Sequence, residues 1–287
     1  MYGIVILNYN SYELSCNLVT KVLGFKRLGK VVLIDNNSKD NFDEFVSKNN
    51  QDGKIHYIKS SQNSGYAAGN NIGLKYLYNN GYKIGFVANP DADFEEDATD
   101  KIYDFLLNNP NYGVASCKRT VGENGKTRQY WDIPTFKDCL FESVYLGRKM
   151  ADLKYESYFD DIWNDKKSQY YDVEVVAGDF FGCNLDIMNK VNYMDENTFL
   201  YFEENILGYK LRKAGYKEAL LLSCSHFHNH IKTRRGSNNY GIYLHSKKVY
   251  CYDYLKINFG QKILMGIFDA IGLLDSKVLY LLGSVLK

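Results

Sequence analysis

The chain opens on an apolar run, Gly3–Leu7, that ends at the polar cluster Asn8-Tyr9-Asn10-Ser11, and the pattern then repeats. A helical stretch to about Gly24 leads into Val31–Ile34, which stops abruptly at Asp35-Asn36-Asn37-Ser38. Ile55–Ile58 is a third short strand, a helix is predicted from about Ala67 to Tyr78, and Ile84–Ala88 is a fourth apolar run ending on Asn89-Pro90. Short strands without polar alternation, separated by helices, predict an α/β fold with a mostly parallel sheet covered on both faces. Ligands of such sheets sit beyond the carboxyl ends of the strands, and that is where the polar clusters fall.

The pattern weakens over residues 120–172, which read as an irregular insertion or acceptor loop rich in charge and aromatics. It returns at Val173–Val176 and Gly178–Gly182, followed by a helix from Glu203 to Gly215. Lys262–Leu286 reads as a C-terminal helix whose polar Lys262, Asp269 and Ser276 recur every seven residues on one face, the rest being apolar. Hydrophobic residues at 45% and charged residues at 24% exclude a disordered or fibrous chain. The net charge of +1 conceals an asymmetry: residues 207–287 hold 13 Lys+Arg against 4 Asp+Glu, residues 1–206 hold 22 against 30. An acidic front suits cations; a basic back suits an anionic surface or substrate, or is a set of solvated helix faces. The N-terminus has no basic leader and no stretch reaches the length of a spanning helix, so neither signal peptide nor membrane span is expected. Six scattered cysteines without a Cys-x-x-Cys pair read as reduced thiols of a cytosolic protein.

Several clusters could carry chemistry. Asp91 and Asp93 follow a strand; in extended chain their carboxylates point the same way and can meet one Mg²⁺ or Mn²⁺, the alternative being a solvated turn pair. Asp35 at a strand end can accept from a ribose hydroxyl or a base N–H, or can cap a turn. The small-residue loop Asn63–Asn71 opens a helix, and Gly65 and Gly69 would let backbone approach a nucleotide. It carries neither a dinucleotide fingerprint nor a P-loop ending. His226, His228 and His230 share one face of a strand, which is metal-ligand spacing; a zinc hydrolase would want a further ligand, and none lies close in sequence. Asp179, in Gly178–Asn184, either meets a sugar hydroxyl or sits in a tight turn. Trp131 could stack on a sugar ring. The basic run Lys232–Ser237, with Arg234, is a diphosphate or acceptor grip or a solvated loop.

In order, these segments resemble family 2 of the inverting glycosyltransferases with the GT-A fold, in particular the rhamnosyltransferase-like branch that builds bacterial surface polysaccharide, in capsule or cell wall. Val5–Asn10 resembles the opening strand, Val32–Asp40 the base-binding turn, and Asn63–Gly73 is the most specific match. Asn89–Asp93 falls where the family keeps its metal-binding acids. Phe199–Glu204 with Leu211–Tyr216 resembles the segment bearing the catalytic base. The resemblance covers residues 1–260 and implies a nucleotide-sugar half (1–120) and an acceptor half (121–245), with a helical appendix over 246–287.

Carried over position by position, the resemblance implies that Asp35 accepts from uracil or thymine, that Asn8 and Asn10 line that pocket, and that Asn63, Gly65 and Asn70 flank the nucleoside or phosphates. Asp91, also nucleotide-binding, and Asp93 would hold Mn²⁺ or Mg²⁺. His226 would stand near the metal and diphosphate, with His228 second and His230 at the surface. Asp179, Trp131 and Arg234 would meet donor sugar or acceptor. Glu204 would be the general base and Glu203 its neighbour. Here the chain departs from the family: Glu203-Glu204-Asn205-Ile206 replaces Glu-Asp-x-Asp, which leaves the base open between the two glutamates. The departure motivates an alternative, an inactive sugar-nucleotide-binding or scaffold protein; a zinc hydrolase on the histidines is a third.

The implied activity is that of a hexosyl- or deoxyhexosyltransferase using a UDP- or dTDP-sugar. The implied acceptor is a saccharide, or one linked to polyprenyl diphosphate, and nucleic acid is not among the expected partners. The basic, amphipathic C-terminus suits a cytoplasmic protein in peripheral contact with the inner face of the membrane, or packing on its own domain or on a second copy in a homodimer.

Overall fold

The computed structural model describes the backbone of residues 1–120, 128–228 and 237–285, and their side chains except at 152, 155–160, 237–239 and 276–285. The first half alternates as its apolar runs predict: β1 (Tyr2–Asn8), α1 (Tyr12–Leu23), β2 (Leu28–Asp35), α2 (Asp43–Asn49), β3 (Ile55–Lys59), α3 (Tyr66–Asn79), β4 (Ile84–Ala88), β5 (Ala92–Phe94) and α4 (Glu96–Asn108). Next come β6 (Tyr112–Thr120), β7 (Tyr130–Trp131), α5 (Phe136–Phe141), α6 (Tyr145–Asn164), β8 (Tyr170–Val173), β9 (Val175–Val176), β10 (Phe180–Asn184) and α7 (Leu185–Lys190). The chain closes with α8 (Glu203–Lys213), β11 (Lys217–His228), α9 (Ser237–Val249), a π-helical turn (Tyr250–Tyr254) and α10 (Phe259–Val285).

One mixed sheet runs in the order β3-β2-β1-β4-β10-β6-β11-β5, with β8 on β11. Strands β3, β2, β1 and β4 are parallel, while β10 enters antiparallel between β4 and β6. Both faces of the parallel part are buried, which is why β1, β2 and β4 read as unbroken apolar runs. Ile4, Ile6, Val31 and Leu33 belong to one core and Val5, Val32, Ile34 and Val87 to the other, each such side chain contributing about 1.5–3 kcal/mol on full burial. Helix α3 lies close against β1: a Cβ on Gly69 would stand 2.4 Å from a Leu7 methyl carbon. The opening that Gly69 provides is therefore filled by Leu7, not by a nucleotide.

Three expectations are corrected in the second half. Residues 145–164 are a 20-residue helix, not an irregular segment. Its register is hard to read because Leu146, Met150 and Leu153 face solvent instead of core, and Val144 supplies no side-chain cap. The expected boundary at 245/246 falls inside α9, and a single hydrophobic cluster joins Ile133, Leu140, Val175 and Phe202 to Tyr250 and Met265. The C-terminal elements thus pack as part of the second half. At Asp269, α10 is turned inward: Asp269 pairs with the fully buried Lys247, whose Nζ also donates to Ser143 Oγ at 2.5 Å. A paired carboxylate can be buried, so Asp269 docks while Lys262 of the same polar stripe stays exposed.

Candidate active site

At the end of β2, the Asp35 side chain is fully buried and its two oxygens differ. Oδ1 accepts from Ser38 N at 3.0 Å, from Ser38 Oγ and from Asn8 Nδ2 at 3.4 Å. Oδ2 has no hydrogen-bond donor; the Lys59 ammonium stands 3.9 Å away. A buried acceptor left without a donor costs stability, so this oxygen suits a ligand N–H. Asn8 does not line the pocket directly. Its Nδ2 is spent on Asp35, Ser38 and Asp40, and its Oδ1 accepts from Ser11 N and Ser15 Oγ, so it positions Asp35. Asn10 is exposed, in the left-handed region at φ 54°, and accepts Lys39 N.

The Asn63–Asn71 loop is built inward as well. Asn63 Oδ1 accepts Asn36 Nδ2 at 2.8 Å and Gly65 N at 3.0 Å. Asn70 donates to Tyr66 O, while its Oδ1 is buried without a partner. Gly65 has φ +91°, and a Cβ there would lie 2.3 Å from Phe199 O. The close approach it permits is that of the Phe199 backbone. The Tyr66 N–H donates to the same carbonyl at 2.8 Å. The Asn63–Asn71 loop and the segment leading to Glu203 are therefore in direct contact.

Asp91 and Asp93 are not brought together. Ala92 N donates to Asn89 O, closing a turn that carries Asp91 before β5 begins, so the alternation of extended chain does not apply. Asp93 is exposed and ion-paired to Lys21 at 2.5 Å. Asp91 instead has Oδ1 3.2 Å from His228 Nε2. His226 is the deeper histidine: its Nε2 lies 2.8 Å from Asp179 Oδ2, while His228 Nδ1 is 3.7 Å from that oxygen. The position beside Asp91 belongs to His228, reversing the expected order. Burial alone would raise the Asp179 carboxyl, but the Arg119 guanidinium at 2.9 Å and His226 hold it well below the usual carboxylate range. Asp179 is thus an ionised anchor for Arg119 and His226, and its carbonyl accepts Asn89 N at 2.8 Å, fixing the turn that presents Asp91. Among the described residues no three His, Cys, Asp or Glu side chains converge to hold a metal ion by themselves. Asp91 and His228 supply one hard and one borderline donor, a set that substrate phosphate oxygens can complete.

Glu203 and Glu204 open α8 behind Phe202, a left-handed residue at φ 67°. Glu203 is buried with Oε2 unpaired, and burial, reinforced by Glu204, pushes its carboxyl well above its usual value. Glu204 keeps partial solvent exposure; burial, and then the charge of Asp179, raises its carboxyl. Its Oε1 lies against Gly178, where a Cβ would stand 2.5 Å away and push the carboxylate aside. Trp131 donates to Asn205 on the same helix, with the Arg128 guanidinium 4.5 Å over its ring. Arg234 and His230 lie outside the described residues. Tyr66 and Arg119 were not singled out from sequence. The Tyr66 hydroxyl donates to Gly178 O amid the charges of Glu204, Glu203, Asp179 and Asp91. Their signals were weak: an aromatic inside a small-residue loop, and a charge at the carboxyl end of β6.

A third buried carboxyl, Glu218, accepts Val176 N at 2.8 Å. Burial pushes it well above the usual 4.5, a shift that the Val176 N–H opposes and Glu204 reinforces. The folded chain thus keeps a proton that the unfolded chain releases near 4.5, and stability declines as pH rises above that value. Glu218→Gln keeps the acceptor but cannot ionise. In urea unfolding it is expected to lose about 1 kcal/mol less than wild type between about pH 5 and pH 8. Equal losses would assign the decline to other groups.

A parallel half whose strand ends meet a carboxylate-lined second half, crossed by an antiparallel strand, defines a glycosyltransferase of the GT-A fold. The chain belongs to glycosyl transferase family 2, whose model matches residues 3–179. It is 25% identical over 244 residues to the low-salt glycan biosynthesis hexosyltransferase Agl10 of Haloferax volcanii, covering 84% of this chain and 72% of that protein. It is 30% identical over 122 residues to the minor teichoic acid biosynthesis protein GgaA of Bacillus subtilis, covering 40% of this chain and 27% of the relative. Its fold is similar to that of GalNAc-T7 solved with UDP, GalNAc and Mn²⁺, with a TM-score of 0.64 at 14% identity over 89% of this chain and 49% of that one. Among the described residues no helix is long and apolar enough to cross a membrane.

Proposed function

We propose that the protein moves a hexosyl or deoxyhexosyl group, with inversion, from a UDP- or dTDP-sugar to a hydroxyl of a saccharide linked to polyprenyl diphosphate, in the synthesis of a surface polysaccharide. The observation that carries this reading is the donor-free, buried Oδ2 of Asp35 at the carboxyl end of β2, the same end of the parallel strands that Asp91 follows on β4. Asp35 accepts the N3–H of uracil or thymine there. Asp91 and His228 fit a divalent cation of the Mn²⁺ or Mg²⁺ class, which neutralises charge developing on the departing diphosphate when bound. Glu204, set against Gly178, takes the proton of the acceptor hydroxyl as its oxygen attacks the anomeric carbon opposite the diphosphate. Asp179 and Arg119 stay ion-paired at the rim and orient the sugar hydroxyls. The UDP and Mn²⁺ bound by GalNAc-T7, and the glycan and teichoic acid roles in the names of Agl10 and GgaA, support the donor class and the polymer class. A lipid-linked acceptor implies a peripheral position at the inner face of the membrane.

Calorimetry against UDP, dTDP and GDP, each with and without Mn²⁺, tests the site. One uracil or thymine nucleotide is expected to bind in a metal-dependent way. Asp91→Asn and His228→Ala each weaken it by about 10–100-fold, while Asp93→Asn leaves it within about twofold, since Asp93 serves only a surface ion pair. Failure of all three nucleotides to bind folded protein in the presence of metal would overturn the reading.

A further inference from the structure

Helix α10 turns its most apolar face to water. At 100° per residue, Phe259, Ile263, Ile267, Ile271 and Leu274 fall within an arc of about 120°, and all are 43–78% exposed. The other residues of that arc up to Leu274 are Gly260 and Ala270, so it carries no polar side chain. The opposite side, with Met265, Asp269 and Gly272, is buried against the protein. Helix α6, in contact with α10, adds Leu146, Met150 and Leu153, one stripe at i, i+4 and i+7 that is 65–69% exposed. Exposed apolar surface on two touching elements marks an interaction site.

The charges beside it favour one occupant. Lys256 and Lys262 flank the start of α10, and Lys149 stands on the first turns of α6, while Arg148 turns inward and donates to Ser143 O at 2.7 Å. Among the described residues no carboxylate lies within ion-pair distance of the three lysines. Asp269 is buried on Lys247, and Asp275 accepts the Tyr145 N–H. An apolar stripe rimmed by cations, with no acid on it, matches the boundary between anionic headgroups and acyl chains.

We propose that the outer faces of α10 and α6 dock the protein on an anionic lipid bilayer, α10 lying in the plane of the interface. The docked face is fixed relative to the base. Phe202, which precedes Glu203, packs 5.5 Å from the rings of both Tyr243 and Tyr250, in the cluster that also holds Met265 of α10. The role of this geometry, holding Glu204 at a set position relative to the membrane so that the sugar end of a lipid-anchored acceptor reaches it, rests on the functional reading above; the docking itself does not.

Flotation of the full chain with vesicles tests it. Binding is expected to vesicles of phosphatidylcholine with about a quarter phosphatidylglycerol, and to be at least fivefold weaker to phosphatidylcholine alone. Ile267→Ser with Ile271→Ser, both exposed and outside the core, lowers binding to the anionic vesicles about tenfold or more. Lys149→Glu with Lys262→Glu lowers it by a similar factor at low salt. Absence of flotation with either vesicle overturns the proposal. So does a dimer, by light scattering, that the double serine variant dissociates, because the face would then join two copies. Nucleotide calorimetry on the same preparations keeps the two readings apart. Protein that binds nucleotide but not vesicles loses only the docking, and protein that floats but binds no nucleotide loses only the transferase site.

Discussion

Glu204→Gln is expected to lower kcat by about 10²–10⁴-fold while leaving the affinity for the donor nucleotide within about twofold. The substitution keeps the side chain's size and its place beside Gly178, and removes only the capacity to take a proton. The raised carboxyl of Glu204 works in the same direction, since a base whose conjugate acid is weaker removes a hydroxyl proton more readily. Glu203→Gln is the companion measurement. Its carboxyl is buried at 3% exposure and already favours the protonated form, so its loss should alter kcat far less. A large fall in the Glu203 variant with a near-normal Glu204 variant would move the base by one residue. Unchanged turnover in both would place the base on another residue, and no turnover in wild type that binds nucleotide would favour the inactive binding protein.

Gly65→Ala is expected to cost about 3 kcal/mol or more of stability, from a backbone conformation that is essentially glycine-only and a steric overlap in one place. With φ at +91°, ψ at −178° and the Phe199 carbonyl 2.3 Å from the new Cβ, neither the loop nor the segment facing it can relax alone. Thermal unfolding should shift down by about 5–10 °C. Gly81→Asn is the control: Gly81 also has positive φ, at +81°, but nothing lies within 4 Å, so the shift there should be small. Equal effects at both glycines would mean that backbone conformation, and not the contact with Phe199, dominates.

The parallel half of the fold was legible because strands buried on both faces leave unbroken apolar runs, and their polar ends located Asp35 and Asp91 directly. What failed was orientation. The relation of Asp91 to Asp93 depends on a hydrogen-bonded turn that spacing does not reveal. The relative depths of His226 and His228 depend on Asp179, some 47 residues away in sequence from His226. Asn8 and Gly65 were recognised as important, but their partners turned out to be the protein itself. Helix α6 escaped notice because its exposed leucines and methionine break the segregation from which an amphipathic helix is read. The burial of Asp269 on α10 was hidden too, since an aspartate reads as the wet side of a helix until Lys247, from another helix, pairs with it.

That buried pair has an evolutionary consequence. Lys247 is fully buried and Asp269 nearly so; changing either alone strands a charge without water or counter-ion. Replacing both by apolar residues of matching volume removes the penalty altogether. The seam between α9 and α10 can therefore be broken by one substitution but rewritten only by two. Descendants of this chain should keep both partners or neither.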